Sequence, residues 1–378
     1  MATELRGRLV LADGVVPGRL VIEDGWLRAV DPDPADATAA GGPILAPGFI
    51  DVHVHGWGGH DATGDAAALD GMARALLRQG VTTFLPTAPT LAEDQLPGFA
   101  DRVRSWMPQA PADGAEPLGF NLEGPFLAPS RKGAHDPALL RAPAAFTDDQ
   151  VSALLDGLRV MTIAPELPGA IELIRKLAAL GIAASMGHSA ATLEEARAGY
   201  LAGAVTTTHL FNAMTGVDHR QPGLAVAALA DDAVYVELIA DRNHVHPALW
   251  PLVLRTKPAD RLVLVSDALP LAGMPDGPGW IGGLACEVRD GRATLAGTDT
   301  LAGSVIALDT AVRNLVDEGT ELAAAVLAAS ANPASLLGAT DRGRLEPGRR
   351  AHVVELDDAL RVRRVTRGDG WIEGAGRA

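Results

Sequence analysis

Between about Pro47 and Ala268 the chain alternates short apolar runs with longer amphipathic stretches. The runs are PGFIDVHVH, VTTFLPT, PLGFNLEG, RVMTIAPE, IAASMGHS, AVTTTHLF, VYVELIAD and RLVLVSDA. Each has the length of a strand and is nearly continuous in apolar character, as strands buried on both faces are. Helical patterns lie between several of them, among them DAAALDGMARALLRQG, AIELIRKLAALG and TLEEARAGYLAGA. Thr192 with Glu195, and Thr90 with Glu93, have the T-x-x-E spacing of a capping box. Eight such runs alternating with helices predict an α/β fold, a closed parallel (β/α)8 barrel of the TIM type. An open doubly wound sheet gives no reason for that number, and no G-x-G-x-x-G or P-loop pattern is present.

Both ends of the chain read differently. RGRLVLADG, GRLVIEDG and WLRAVDP at the start, and RAHVVELDD and ALRVRRVTRGDG at the end, are short alternating strands with Asp-Gly turns. The pattern predicts a small β-sandwich domain built from residues 1–47 and 348–378, flanking a catalytic barrel over 48–347. The Gly/Pro-rich stretch LPLAGMPDGPGWIGG reads as a loop, followed by a hairpin turning at Asp290-Gly291.

Hydrophobic residues make up 48%, enough for a large core, while no segment approaches ~18 uncharged apolar residues. The formal charge of −15 argues against nucleic acid or an anionic membrane as partner. An anionic substrate must therefore be held by a few local cations. One cysteine, Cys286, excludes an intramolecular disulfide framework and fits a buried apolar position in a reducing, cytoplasmic setting. The opening residues MATELRGRLV lack the apolar core of a secretory signal.

The polar chemistry collects where a barrel builds its active site, at the C-terminal ends of the strands. Strand one ends in His53 and His55, strand three in Glu123, strand five in His188, strand six in His209, strand seven in His244 and strand eight in Asp267. Residues i and i+2 on a strand point the same way, so His53 and His55 reach one point. Imidazoles and carboxylates buried together need pairing or a metal. Taken singly, each reads as a satisfied core histidine or a capping carboxylate; together they predict a site for zinc, iron(II) or manganese.

PGFIDVHVHG resembles the first-strand signature of the amidohydrolase superfamily, whose H-x-H ligates metal. GVTTFLPT, NLEGPFL, KGAHDP, GHSAATLEEA, THLFNAM, RQPG, IADRNHVHP, LVSDA and LAGS follow in order. Together they resemble the N-acetylglucosamine-6-phosphate deacetylase family. That resemblance implies a metal-bearing barrel with Glu123, His188 and His209 as the principal ligands. It places His53 and His55 at a second metal position and Asp267 as the catalytic, metal-adjacent aspartate. His135 is implied to polarise the substrate carbonyl, and Asn212, Ala213, Arg220 and His244 to bind the sugar phosphate. One or two divalent ions follow, Zn2+ or Fe2+ first, Mn2+ or Co2+ as alternatives.

The implied reaction removes the acetyl group from N-acetylglucosamine 6-phosphate, giving glucosamine 6-phosphate and acetate. A metal-activated hydroxide attacks the amide, and Asp267 acts first as base and then as acid. The resemblance also implies a homodimer in which a phosphate-binding residue comes from the neighbouring subunit. The N-acetylgalactosamine 6-phosphate epimer is an alternative substrate, since the two sugars differ only at C4. A dihydroorotase- or hydantoinase-type enzyme is disfavoured. Such enzymes bridge their metals with a carboxylated strand lysine, and Lys132, Lys176 and Lys257 all lie outside the strand runs. A non-catalytic scaffold is the reading from another class, but it has no reason to retain the ligand set. Of the other histidines, His60 follows strand one closely enough to reach the site; His219 and His246 read as structural or exposed, and His352 as remote.

Overall fold

The computed structural model describes residues 2–368 and 370–375. All eight apolar runs become strands of one parallel sheet, in sequence order. They are Phe49–Val54, Val81–Ala88, Phe120–Glu123, Leu158–Ile163, Ala183–Met186, Thr206–Thr207, Tyr235–Leu238 and Leu262–Leu264, here called barrel strands one to eight. Chain just beyond strand eight bonds back to strand one: Asp267 N–H to His53 O at 2.9 Å and His55 N–H to Ala268 O at 2.9 Å. These bonds close the seam at the C-terminal mouth. The short helix Ala331–Leu336 packs on strands one and eight. Its Ala334, with Leu337 just beyond it, shares a buried apolar cluster with Ile50, Leu85, Val160 and Val263. One end of the barrel is therefore stopped by hydrocarbon, and the other carries the polar layer.

The helical patterns form Ala66–Arg78, Ala170–Ala179 and Leu193–Ala202. The last opens on the expected capping box, in which Thr192 accepts from Glu195 N–H and the Glu195 carboxylate accepts from Thr192 N–H. The second T-x-x-E pair behaves otherwise. The following helix starts later, at Leu96, without a side-chain cap. The Thr90 hydroxyl donates instead to Glu123 O at 3.4 Å, and Glu93 accepts from the Gln150 amide. Tertiary partners outcompete the local cap there.

Both termini meet in a second, seven-stranded sheet ordered 371–373, 362–366, 353–356, 44–47, 3–11, 14–23, 26–32. Ile44–Pro47 is its knot, parallel to Thr3–Leu11 on one side and antiparallel to Val353–Leu356 on the other. The excursion after strand eight holds the predicted hairpin, Leu284–Arg289 with Arg292–Leu295. The Gly/Pro-rich stretch before it is not all loop, because Gly277–Ile281 adds a third strand. Cys286 of this small sheet is buried, and burial pushes its thiol up to about 11. No helix among the described residues is long and apolar enough to cross a membrane.

Candidate active site

Strand termini bring His53, His55, Glu123, His188, His209 and Asp267 together in one buried cluster. Glu123 is its centre. Its Oε1 lies 3.1 Å from His188 Nε2 and 2.9 Å from His209 Nε2, and those two nitrogens are 3.1 Å apart. Its Oε2 lies 3.1 Å from His55 Nε2, 3.5 Å from His53 Nε2 and 3.3 Å from His135 Nε2. Asp267 Oδ1 stands 3.2 Å from His55 Nε2 and 3.6 Å from His53 Nε2.

Hydrogen bonds on the far side of each ring sort these histidines by chemistry, because the partner of one ring nitrogen decides which one carries the proton. His53 Nδ1 faces Glu237 Oε2 at 3.2 Å, His55 Nδ1 faces Thr87 O at 3.1 Å, and His188 Nδ1 faces Arg131 O at 2.8 Å. All three partners only accept, so Nδ1 carries the hydrogen and Nε2 is bare in the neutral ring. His135 is the reverse. Its Nδ1 accepts from Thr90 N–H at 3.2 Å, which leaves the hydrogen on Nε2, pointing at the site.

Bare imidazole nitrogens and carboxylate oxygens facing one another near 3 Å repel unless a cation lies among them. Protons are one answer. Burial opposes charging His55, but Asp267 and Glu123 win and raise it to about 9. Burial likewise opposes charging His53, yet Glu123, Glu237 and Asp267 carry it well above its ordinary range. A divalent metal is the other answer, and the donor set fits one. Ligands ~2.0–2.1 Å from a tetrahedral zinc sit about 3.3 Å apart, close to the triangle that Glu123 Oε1, His188 Nε2 and His209 Nε2 form. Two candidate metal-holding groups share Glu123: His53 with His55, and His135 with His188. The hydrogen on Nε2 makes His135 a hydrogen-bond donor towards the site, while His209 Nε2 lies 2.9 Å from the Glu123 Oε1 that His188 also faces.

Backbone strain helps to aim these groups. His188, His209, Ala213 and Asp267 adopt left-handed φ of 46°, 28°, 47° and 50°. Non-glycine residues in such conformations cost roughly 1–3 kcal/mol each and persist where the surroundings enforce them. Gly303, also left-handed at 81°, lies against Asp267: a Cβ there would stand 2.7 Å from the Asp267 carbonyl oxygen.

The cluster, apart from the fully buried His53, lines a cavity of about 460 Å3, which is also lined by His135, Asn212, Ala213 and His244. His244 Nδ1–H donates to Asp241 Oδ2 at 2.8 Å. Burial opposes protonation of His244, and Asp241 outweighs it, raising the ring above its ordinary range. Burial pushes His135 down to about 4, keeping it neutral. Asp267 stays ionised: burial opposes this, but His55 and His53 hold its carboxyl down at about 2. Of the predicted substrate-binding residues, Arg220 is the one this cavity does not include; it is exposed on a turn where Asp218 accepts from the N–H groups of Arg220 and Gln221. His60 also stays outside the lining, its ring packed over Gly71. Arg131 and Arg292 are cations that do line the cavity. Arg292 comes from the excursion hairpin, and no feature of its local sequence marks it. Glu237 likewise falls outside the strand-end pattern, although a glutamate within the apolar run VYVELIAD is itself a signal.

The amidohydrolase family model matches residues 44–366. An N-acetylgalactosamine-6-phosphate deacetylase of Escherichia coli is 40% identical over 94% of this chain and 93% of that protein. The N-acetylglucosamine-6-phosphate deacetylase of Bos taurus is 39% identical over 92% of this chain and 90% of its own length. Among solved structures, the N-acetylglucosamine-6-phosphate deacetylase of Thermotoga maritima superposes with a TM-score of 0.90 at 32% identity, covering 99% of this chain and 100% of that one. The enzyme of that name from Mycobacterium smegmatis, solved in complex with N-acetyl-D-glucosamine-6-phosphate, gives 0.88 at 36% identity over 98% and 99%. Fold, ligand-type residues at the strand ends and likeness over nearly the whole chain agree: the chain belongs to the amidohydrolase family.

Proposed function

We propose that the chain hydrolyses the acetamide of N-acetylglucosamine 6-phosphate, giving glucosamine 6-phosphate and acetate. The observation that carries this reading is the convergence of four imidazoles and two carboxylates in one buried cluster, five of the six lining one cavity, in a chain 32–39% identical to deacetylases named for that substrate. His53, His55, Glu123, His188, His209 and Asp267 would hold one or two divalent ions, Zn2+ or Fe2+ before Mn2+ or Co2+. When bound, such an ion lowers the pKa of a water towards 7 and supplies a nucleophile at neutral pH.

The chain's own groups do the rest. Asp267 takes the proton from the attacking water and returns it to the departing nitrogen. His135 offers Nε2–H to the carbonyl oxygen as charge builds there. His244, braced by Asp241, and Asn212 with Ala213 seat the sugar phosphate. Arg220, exposed and outside its own cavity, serves the neighbouring cavity of a homodimer. Arg131 and Arg292 offset the acidic field within the chain's own cavity.

N-acetylgalactosamine 6-phosphate is the second reading, favoured by the E. coli relative at 40% identity. The test is acetate release by metal-loaded protein from both phosphates and from unphosphorylated N-acetylglucosamine, with Asp267→Asn as control. Turnover of the phosphorylated glucosamine derivative, abolished in the control, is expected. Turnover of the galactosamine epimer alone would move the assignment to the second reading, and no turnover of either phosphate would sink both.

A further inference from the structure

Glu237 has no place in the cavity lining and no role in the chemistry above, yet it lies between the two ligand groups. It sits in barrel strand seven and is fully buried. Its Oε2 accepts from His53 Nδ1–H at 3.2 Å and from the backbone N–H of His209 at 3.2 Å. Its Oε1 has no hydrogen-bond partner among the described residues. A carboxylate half-satisfied in an apolar strand is a poor stabiliser, and a leucine there would serve the core better. What Glu237 does achieve is orientation. Accepting at His53 Nδ1 puts the proton on that nitrogen and leaves Nε2 bare, aimed between Glu123 and Asp267 and itself without a hydrogen-bond partner. Accepting from His209 N–H pins the turn whose φ is 28° and which carries the second imidazole.

His53 belongs with His55 and Glu123, whereas His209 stands with His188 on the other oxygen of Glu123. One buried oxygen therefore fixes a member of each group. We infer that Glu237 is a positioning residue that sets the affinity of both ligand groups for a divalent metal, building on the metal-dependent hydrolase reading above. Partners of this kind typically change metal affinity by 10–100-fold when removed.

The experiment is titration of chelator-stripped protein with Zn2+ against a competing fluorescent chelator, for wild type, Glu237→Gln and Glu237→Asp. Gln keeps the shape but replaces the carboxylate by an amide, whose NH2 must occupy the position of one of the two oxygens. Zinc affinity of Glu237→Gln is expected to fall roughly 10–100-fold, with the melting temperature of the stripped protein unchanged. Glu237→Asp, which keeps the charge but withdraws it by one methylene, also loses affinity and covers a Gln variant that fails to fold. Wild-type affinity in the folded variants overturns the inference, as does an affinity loss matched by equal destabilisation of the stripped protein. Wild-type protein that binds no zinc would overturn the metal reading itself, whereas a normal wild type beside normal variants overturns only the role of Glu237.

Discussion

Replacing His135 by Ala separates two roles that the same ring could play. As a donor, it contributes Nε2–H to the carbonyl oxygen; as a ligand, it would join Glu123 and His188 around a metal. Its Nδ1 accepts from Thr90 N–H at 3.2 Å, so the hydrogen sits on Nε2 and the donor role is the one available to the neutral ring. Loss of one such donor typically costs 10²–10³ in kcat, about 2.7–4 kcal/mol of barrier. Stability pays separately. Thr90 is 2% exposed, and its N–H loses its acceptor in the variant; an orphaned buried amide costs about 1–3 kcal/mol. The ring also packs edge-on against His188, with centroids 4.7 Å apart, and that contact goes too. Three measurements decide the matter: kcat and KM for acetate release, metal content of the purified variant, and urea unfolding. The expected result is a kcat lower by about 10²–10³ with metal content intact and a modest loss of stability. A variant stripped of metal would make His135 a ligand and refute the tautomer assignment. Full activity with metal retained would refute the role as donor to the carbonyl.

Arg220→Ala and Asp267→Asn, each inactive or badly impaired alone, should complement when mixed and allowed to exchange subunits. If Arg220 serves the neighbouring cavity, half the dimers are mixed with one competent site of two, restoring about a quarter of wild-type activity; no recovery after demonstrated exchange would place Arg220 in its own subunit's site or none. His352 offers a test at the foot of the second sheet. Burial, then Arg342, Arg367 and Arg350, hold its ring well below the ordinary 6.5. The unfolded chain therefore takes up a proton that the native state refuses, and this group's contribution makes stability fall as pH drops below that value. Urea midpoints measured at pH 7.5 and pH 5.5 should show a shallower acid loss in His352→Gln than in wild type, and an identical loss would count against the assignment.

The sequence by itself determined the barrel and the identity of its ligand-type residues. Strands buried on both faces must be apolar along their length, so the eight runs stand out, and a histidine or carboxylate in such a run is conspicuous because it is costly. His53, His55, Glu123, His188, His209 and Asp267 were legible for that reason, and so was the meeting of the two termini in one sheet, from their shared style of short strands and tight turns. Tertiary structure decided what those residues can do. Which nitrogen of His53 or His135 carries a proton depends on Glu237 and on Thr90 N–H, contributed by chain 184 and 45 positions away. Left-handed φ at His188, His209 and Asp267 is not marked in the sequence, because most histidines and aspartates keep a negative φ even though they visit positive φ more often than other non-glycine residues. The cavity wall from the excursion hairpin, with Arg292, and the exposure of Arg220 are likewise products of packing between distant segments. Periodicity and residue chemistry are local and survive in one dimension, whereas proton placement, backbone strain and cavity shape arise only when distant segments come into contact.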